Sequence, residues 1–132
     1  MIGFSSNIEK DALENTNFRK VLYTGKQSQL VLMSLKPREE IGLETHHEND
    51  QFFRCEAGVG MCTIDGNEHK LADGVVVIIP RGAEHNIINT SDTEDLKLYS
   101  LYAPAHHKDG TVHTTKEMAE ANEEEFDGIT TE

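Results

Sequence analysis

The sequence lacks several features that identify common protein classes. Its 132 residues include no tryptophan, two cysteines and only 6% aromatic residues. No apolar run approaches the roughly 20 residues that cross a membrane. The first residues contain no basic region followed by an apolar core, so no signal peptide is predicted. We therefore expect one cytoplasmic domain with no membrane partner, large enough to bury a core of its own.

Basic residues are also scarce. Twelve lysines and arginines stand against 24 acids, which gives a net charge of −12. Residues 114–132 hold seven of the acids and one lysine, so this segment alone contributes −6. Because contact with phosphate requires clustered lysine and arginine, the balance argues against nucleic acid as a partner. We interpret the acidic segment as a solvated tail.

The two cysteines exclude a disulfide framework. Cys55 and Cys62 are too few and too far apart for a set of bridges or for a Cys-x-x-Cys redox motif. We expect them to be reduced thiols packed in neighbouring strands.

What the sequence does contain is a succession of short β patterns separated by turn signals. These segments are 17–23, 29–35, 41–47, 51–56, 59–64, 68–71, 75–79, 85–89 and 96–102. With no long helical pattern between them, they indicate a sandwich or barrel. Residues 75–79 are apolar throughout, which predicts burial on both faces.

The segments at either end differ from this pattern. Residues 1–16 are read as an N-terminal arm that forms at most one short helical turn. The acidic tail, residues 105–132, is predicted to be helical or disordered, with Thr114 or Thr115 capping a helix from Lys116 to about Glu125.

The most informative motif follows the apolar segment 75–79. It consists of Gly74, five residues, Pro80-x-Gly82, two residues, His85, three residues and Asn89. Pro80 and Gly82 suit the second and fourth positions of a type I turn. The turn sends the chain back as a strand that begins at His85, at the mouth of the predicted barrel.

A second, upstream pattern carries possible partners for His85. Glu44 and His46 are two residues apart, Gln51 follows after four residues, and Gly58 after six more. Together the two patterns resemble the paired motifs of the cupin superfamily, of the small single-domain (monocupin) type. In the first motif Glu44 replaces a histidine, Gln51 replaces an acid and Arg38 replaces the leading glycine.

The resemblance covers residues 17–104 and implies an all-β fold, a double-stranded β-helix or jelly-roll barrel. It also implies a homodimer formed through the outer sheet and the N-terminal strand, and a metal site inside the barrel.

The residues themselves support that site. Because i and i+2 face the same side of a strand, Glu44 and His46 point together, while His47 points away and is expected to be exposed. With His85 they form two imidazoles and a carboxylate, the arrangement that holds a divalent transition metal with open positions. Gln51 offers a neutral oxygen as a fourth ligand. Nitrogen and oxygen ligands suit iron, manganese, nickel or zinc without selecting one.

Two questions stay open at this stage. Glu44 either ligates the metal or acts as a catalytic base. Alternatively, the pocket holds no metal and Glu44 pairs with His46 or His85. A buried carboxylate beside two histidines is costly without a cation, which favours the metal.

The resemblance implies a small metal-dependent isomerase, lyase or dioxygenase acting on a small oxygenated or sugar-like substrate. The alternative is a non-enzymatic module that binds a small sugar or acid, with a structural metal or none.

The remaining polar residues are given surface or structural roles. Arg54 and Arg81 each have the geometry to bind a substrate carboxylate, but a surface role is expected for both. Either Tyr99 or Tyr102 lines the pocket, since they face opposite sides of one strand. Three further histidines have no regular ligand spacing and are interpreted as part of a solvated loop: His106, His107 and His113.

Overall fold

A computed structural model describes all residues 1–132, which form two antiparallel sheets and two short helices. The elements are α1 (Ile8–Glu14), β1 (Arg19–Thr24), β2 (Gln29–Leu35), β3 (Glu44–Thr45), β4 (Asp50–Ala57), β5 (Gly60–Ile64), β6 (Asn67–Leu71), β7 (Val76–Ile79), β8 (Glu84–Asn89), β9 (Leu96–Ala103), β10 (Val112–His113) and α2 (Lys116–Ala121). None of the helices is long and apolar enough to cross a membrane.

The sheets face each other across an apolar core, which confirms the predicted jelly-roll barrel. The larger sheet has the order β10-β1-β2-β9-β4-β7 and the smaller one the order β3-β8-β5-β6. Alternate side chains of β4, β7 and β9 face the core, with Phe53 and Cys55, Val77 and Ile79, and Leu96 and Leu98 all buried. Seventeen buried residues form one continuous cluster between the sheets.

The segment predicted as a strand over residues 41–47 is mostly irregular. Only Glu44–Thr45 is a regular strand, β3, paired with β8. Gly42, with φ of +110°, breaks the ladder, and the neighbouring Ile41 N–H still donates to the Ile87 carbonyl at 2.9 Å. The short strand is sufficient to direct Glu44 toward β8.

The prediction that residues 75–79 are buried on both faces is wrong. In β7, Val77 and Ile79 face the core, whereas Val76 and Ile78 are 42% and 64% exposed. β7 is the edge strand of the larger sheet and pairs only with β4. An apolar run is therefore compatible with burial on one face when the other face of the sheet is open.

The turn after β7 is displaced by one residue from the prediction. The Pro80 carbonyl accepts from the Ala83 N–H at 3.1 Å, so Pro80 is the first residue of the turn and Gly82 the third. Gly82 has φ of +90°, which suits the third position of a type II turn and favours glycine. Its N–H donates to the His46 carbonyl at 2.8 Å, joining this turn to the segment that carries the other site residues.

Arg38 adopts the backbone conformation that glycine favours at the first position of the upstream motif. Its φ is +64°, in the left-handed region that glycine adopts most easily. Its backbone N–H donates to the Ser91 carbonyl at 3.1 Å, and its side chain pairs with Asp92. The backbone shape at this position is therefore retained although the residue type is not.

The C-terminal segment is ordered along the barrel and does not extend as a long helix. Thr115 caps α2 by accepting from the Met118 N–H, but the helix ends at Ala121 and not near Glu125. Before it, β10 pairs with β1. After it, the Phe126 N–H donates to the His106 carbonyl at 2.9 Å, which holds the acidic segment against the mouth of the barrel.

The cysteines are free and buried, as predicted. Cys55 lies in β4 and Cys62 in β5, consecutive strands that belong to opposite sheets. Both side chains belong to the apolar core.

Candidate metal centre

Glu44, His46 and His85 meet at the mouth of the barrel. Glu44 Oε1 lies 3.3 Å from His46 Nε2 and 3.6 Å from His85 Nε2. One ligand atom from each residue lies within 4.8 Å of the other two. Glu44 is opposite His85 in the β3–β8 pairing, and His46 follows directly after β3. The predicted convergence of these three side chains is therefore observed, and His47 is exposed as expected.

The turn before β8 orients His85. Its Nδ1 lies 2.9 Å from the Ala83 carbonyl oxygen, which can only accept, so Nδ1 carries the proton and donates. Nε2 is left facing Glu44 with its lone pair available whenever the ring is neutral. A backbone carbonyl that holds the second nitrogen of an imidazole is the usual support of a metal-ligating histidine.

Three buried polar atoms near the barrel mouth lack a well-aligned hydrogen bond: His46 Nε2, His85 Nε2 and Gln51 Oε1. The two imidazole nitrogens have only the contacts of 3.3 and 3.6 Å with Glu44 Oε1. Buried polar atoms without partners are rare and costly. All three are atoms that ligate metals, and the carboxylate of Glu44 adds an anionic oxygen. The donor set thus fits a divalent transition metal.

Charges within the group reinforce one another. Burial raises the pKa of Glu44, but the contacts with His46 and His85 outweigh it and lower that pKa well below its ordinary value. Burial lowers the pKa of His85, but the contacts with Glu44 and the Ala83 carbonyl outweigh it, so this pKa is raised. The carboxylate is therefore ionised at neutral pH, ready to pair with a cation.

Gln51 lies at the start of β4 with its side chain fully buried. Its Nε2 donates to Ser100 Oγ at 2.9 Å, which assigns the amide orientation and leaves Oε1 unpartnered. Tyr102 is its cross-strand neighbour on β9. Gln51 is thus available as the predicted neutral oxygen, although its amide is also part of the polar support beneath the site.

Of the two tyrosines left open by the sequence, Tyr102 is the one that faces the pocket. Its ring meets His46 edge-on with centroids 5.5 Å apart. Tyr99 lies on the opposite face of the sheet against Phe52. Burial raises the pKa of the Tyr102 phenol, so it stays protonated. The neighbouring strand β4 buries Phe53, which is 1% exposed, in the core.

The interpretation of the three later histidines as a solvated loop is wrong. His107 and His113 are 9% and 7% exposed, and the His106 ring packs 4.3 Å from that of His46. Gln29 holds this segment: its Oε1 accepts from the His106 and His107 N–H groups, and its Nε2 donates to the His107 carbonyl at 2.7 Å. Burial is the main reason that the pKa of His106 falls to about 4.

The position of these histidines follows from strand pairing. His106 and His107 come directly after β9, whose last residue, Ala103, pairs with Asp50 at the start of β4. That strand end lies at the same mouth as Gln51, so chain leaving β9 there passes the site.

A cavity of about 200 Å³ opens onto Glu44 and His46 of the triad and has no hydrophobic residue in its lining. Its wall includes Glu44, His46 and the later histidines, and Glu123–Glu125 of the tail form part of its lining. It also includes Arg19, a buried residue of β1 that the sequence reading passed over in favour of Arg54 and Arg81. Arg54 pairs with Glu56 and Arg81 is exposed, so neither belongs to this cavity.

Comparison with known proteins identifies the family. Residues 31–102, more than half of the chain, match the cupin domain family. The chain is a cupin. The shared region contains the triad, Gln51, all of β4 and most of β2 and β9.

Similar proteins extend this likeness over nearly the whole cupin chain. Uncharacterized protein YrkC of Bacillus subtilis (strain 168) is 44% identical over 127 residues, covering 92% of this chain and 68% of that protein. The crystal structure of BH2720 from Bacillus halodurans is 42% identical with a TM-score of 0.87, covering 90% of this chain and 94% of that one. A Thermotoga maritima structure described as a predicted oxalate decarboxylase is 25% identical with a TM-score of 0.56, covering 60% of this chain and 68% of that one.

Proposed function

We propose that this cupin is a small metal-dependent enzyme whose divalent transition metal is held by Glu44, His46 and His85. The observation that carries the proposal is the pair of buried imidazole Nε2 atoms, unpartnered and converging on one ionised carboxylate. Gln51 supplies a fourth, neutral oxygen. Iron, manganese, nickel and zinc all suit this donor set.

The chemistry follows from these groups. The metal would supply Lewis-acid polarisation of a substrate oxygen, or a redox centre if it is iron. His85 is held in one tautomer by Ala83, so its free nitrogen faces the site without reorganisation. The buried phenol of Tyr102, kept protonated by its raised pKa, lies 3.2 Å from His107 Nε2 and so supports a histidine of the cavity wall.

Isomerase, lyase and dioxygenase reactions on a small oxygenated molecule are the classes consistent with such a pocket. The cavity of about 200 Å³ restricts the substrate to a small molecule. The likeness to the Thermotoga maritima protein described as a predicted oxalate decarboxylase supports the lyase class among them.

Elemental analysis of protein purified without a polyhistidine tag tests the proposal. We expect close to one equivalent of a transition metal per chain, removed by a chelator and restored by added metal. Less than about a tenth of an equivalent, with none taken up on addition, would instead support a non-enzymatic module that binds a small sugar or acid.

Substitution of Glu44 separates its two roles. If Glu44 is a ligand, Glu44→Ala loses metal; if it is a base, the variant keeps metal and loses turnover. Glu48→Ala removes an exposed carboxylate from the loop that follows β3 and serves as the matched control.

We also propose that two copies pair through the outer face of the larger sheet. Leu30, Leu101, Phe52 and Ile78 are cross-strand neighbours in one row on that face. Leu101 and Ile78 are 39% and 64% exposed, and exposed apolar rows mark interaction surfaces. Light scattering should give a dimer for the wild type and a monomer for Ile78→Asp; a monomeric wild type would contradict the pairing.

A further inference from the structure

Arg19 is the one buried arginine of the chain. It lies at the start of β1, is 9% exposed and lines the same cavity as Glu44 and His46. The other three arginines differ: Arg38 and Arg54 each pair with a carboxylate, and Arg81 is exposed. A buried guanidinium is costly unless it is paired and hydrogen-bonded.

The pairing of Arg19 within the protein is incomplete. No carboxylate oxygen lies within 4.0 Å of the guanidinium, and its Nε is buried with no hydrogen-bond partner. Its one polar side-chain contact joins Nη1 to His113 Nδ1 at 3.4 Å, and the group also lies 5.3 Å from the centre of the Phe18 ring. These contacts hold the fork in place but leave its charge without an anion.

We propose that Arg19 binds a carboxylate of the substrate, so that the pocket is built for a small carboxylic acid. This inference rests on the function proposed above in one respect: the other end of the bound acid would reach the metal. The carboxylate supplies the two acceptor oxygens that match the planar guanidinium fork.

The surroundings favour a carboxylate over a phosphate. Arg19 is the only arginine or lysine of the cavity wall, while Glu44 and Glu123–Glu125 contribute negative charge. The guanidinium balances the single charge of one carboxylate group, whereas a phosphate dianion places two charges on one group beside these glutamates. The cavity volume of about 200 Å³ also suits an acid of a few carbon atoms.

Calorimetric titration with malonate, and with its neutral analogue malonamide, tests the assignment. Metal-free protein is prepared with phenanthroline, a chelator without a carboxylate, so that binding to the metal does not mask binding to Arg19. We expect malonate to bind and malonamide not to bind. Arg19→Gln should weaken the binding of malonate by about 30-fold or more, as loss of one partner of a buried charge pair does.

Three matched measurements sharpen the result. Arg81→Gln removes the same charge from an exposed position and should leave malonate binding unchanged. Arg19→Lys, which keeps the charge but not the fork, should fall between the wild type and Arg19→Gln. Inorganic phosphate should bind more weakly than malonate, and tighter binding of phosphate would overturn the choice of a carboxylate.

The outcome distinguishes this inference from the metal proposal. Malonate binding that depends on Arg19 in a protein that takes up no metal would sustain the anion site alone. Equal malonate affinity in the wild type and Arg19→Gln, with metal uptake intact, would overturn the anion site alone. Should Arg19→Gln not fold, a malonate-soaked crystal of the wild type decides: a carboxylate within hydrogen-bond distance of Arg19 supports the inference, and a carboxylate elsewhere contradicts it.

Discussion

The two ends of the barrel are made by the same strands but have opposite chemistry. Along the inward face of β4, Gln51 at the mouth gives way to Phe53 and then Cys55. Along β8, His85 gives way to Ile87. A side chain two residues further along a strand thus passes from a polar site into an apolar core.

This difference separates stability from function. The closed end consists of tightly packed apolar side chains, which supply the hydrophobic stabilisation. The open end contains four buried polar atoms without a well-aligned hydrogen bond, which cost free energy until something binds them. Changes at the closed end should therefore alter unfolding, and changes at the open end should alter binding.

The largest expected effect comes from the closed end. Phe53→Ala should lower the free energy of unfolding by about 3–5 kcal/mol, because it leaves a cavity in a fully buried position. Denaturant unfolding of metal-free protein measures it. Phe52→Ala, on the half-buried outer face, is the control and should cost clearly less. Equal losses would contradict the contrast between the two faces.

Loss of a ligand at the open end comes next. His85→Ala should weaken metal binding by more than about 100-fold, since even supporting residues of metal sites contribute 10–100-fold. The unfolding free energy of the metal-free protein should also fall, because the substitution removes the Nδ1 hydrogen bond to the Ala83 carbonyl and leaves a cavity at a buried position. Competition with a chromophoric chelator measures the affinity. Unchanged affinity would remove His85 from the ligand set.

Two glycines with the same backbone shape compare the ends directly. Gly58 and Gly82 both have φ of +90°. A Cβ at Gly58 would lie 2.4 Å from the Asp95 carbonyl oxygen, whereas a Cβ at Gly82 meets nothing within 4 Å. Gly58→Ala should therefore cost about 1–3 kcal/mol more than Gly82→Ala. Equal melting temperatures for the two variants would show that the close approach is relieved.

The smallest effect concerns thiol chemistry. Burial raises the pKa of Cys55 and Cys62 to about 11. At pH 8 the thiolate fraction should be about 100-fold lower in the native protein than in the unfolded one, so disulfide reagents should react correspondingly slowly. Because the unfolded thiols ionise first, these residues also reduce stability as the pH rises from about 9 to 11. Equal labelling rates in native and denatured protein would contradict their burial.

Local patterns predicted much of this architecture. A β-type segment followed by a turn signal placed strand β2 at Gln29–Leu35, as observed. The spacing of Glu44, His46 and His85 brought the three side chains together because strand periodicity and one turn determine their direction. The predictions that were wrong concern features that depend on the order of the strands in the sheets.

Arg19 and His106 illustrate that limit. Arg19 is near the cavity because β1 lies between β10 and β2, and His106 is there because β9 ends beside β4. The strands that surround Arg19 and His106 lie far from them in the sequence, so no local spacing predicts that these two residues reach the cavity. The open outer face of β7 was missed for the same reason: an apolar segment does not show whether its strand lies at a sheet edge.

Anomalous diffraction at the absorption edge of the bound metal tests the central claim most directly. We expect one peak at the barrel mouth, about 2.0–2.2 Å from His46 Nε2, His85 Nε2 and a Glu44 oxygen if the ion is zinc. A peak at another place, or crystals that show Glu44 bonded only to the two imidazoles after soaking in metal, would contradict it.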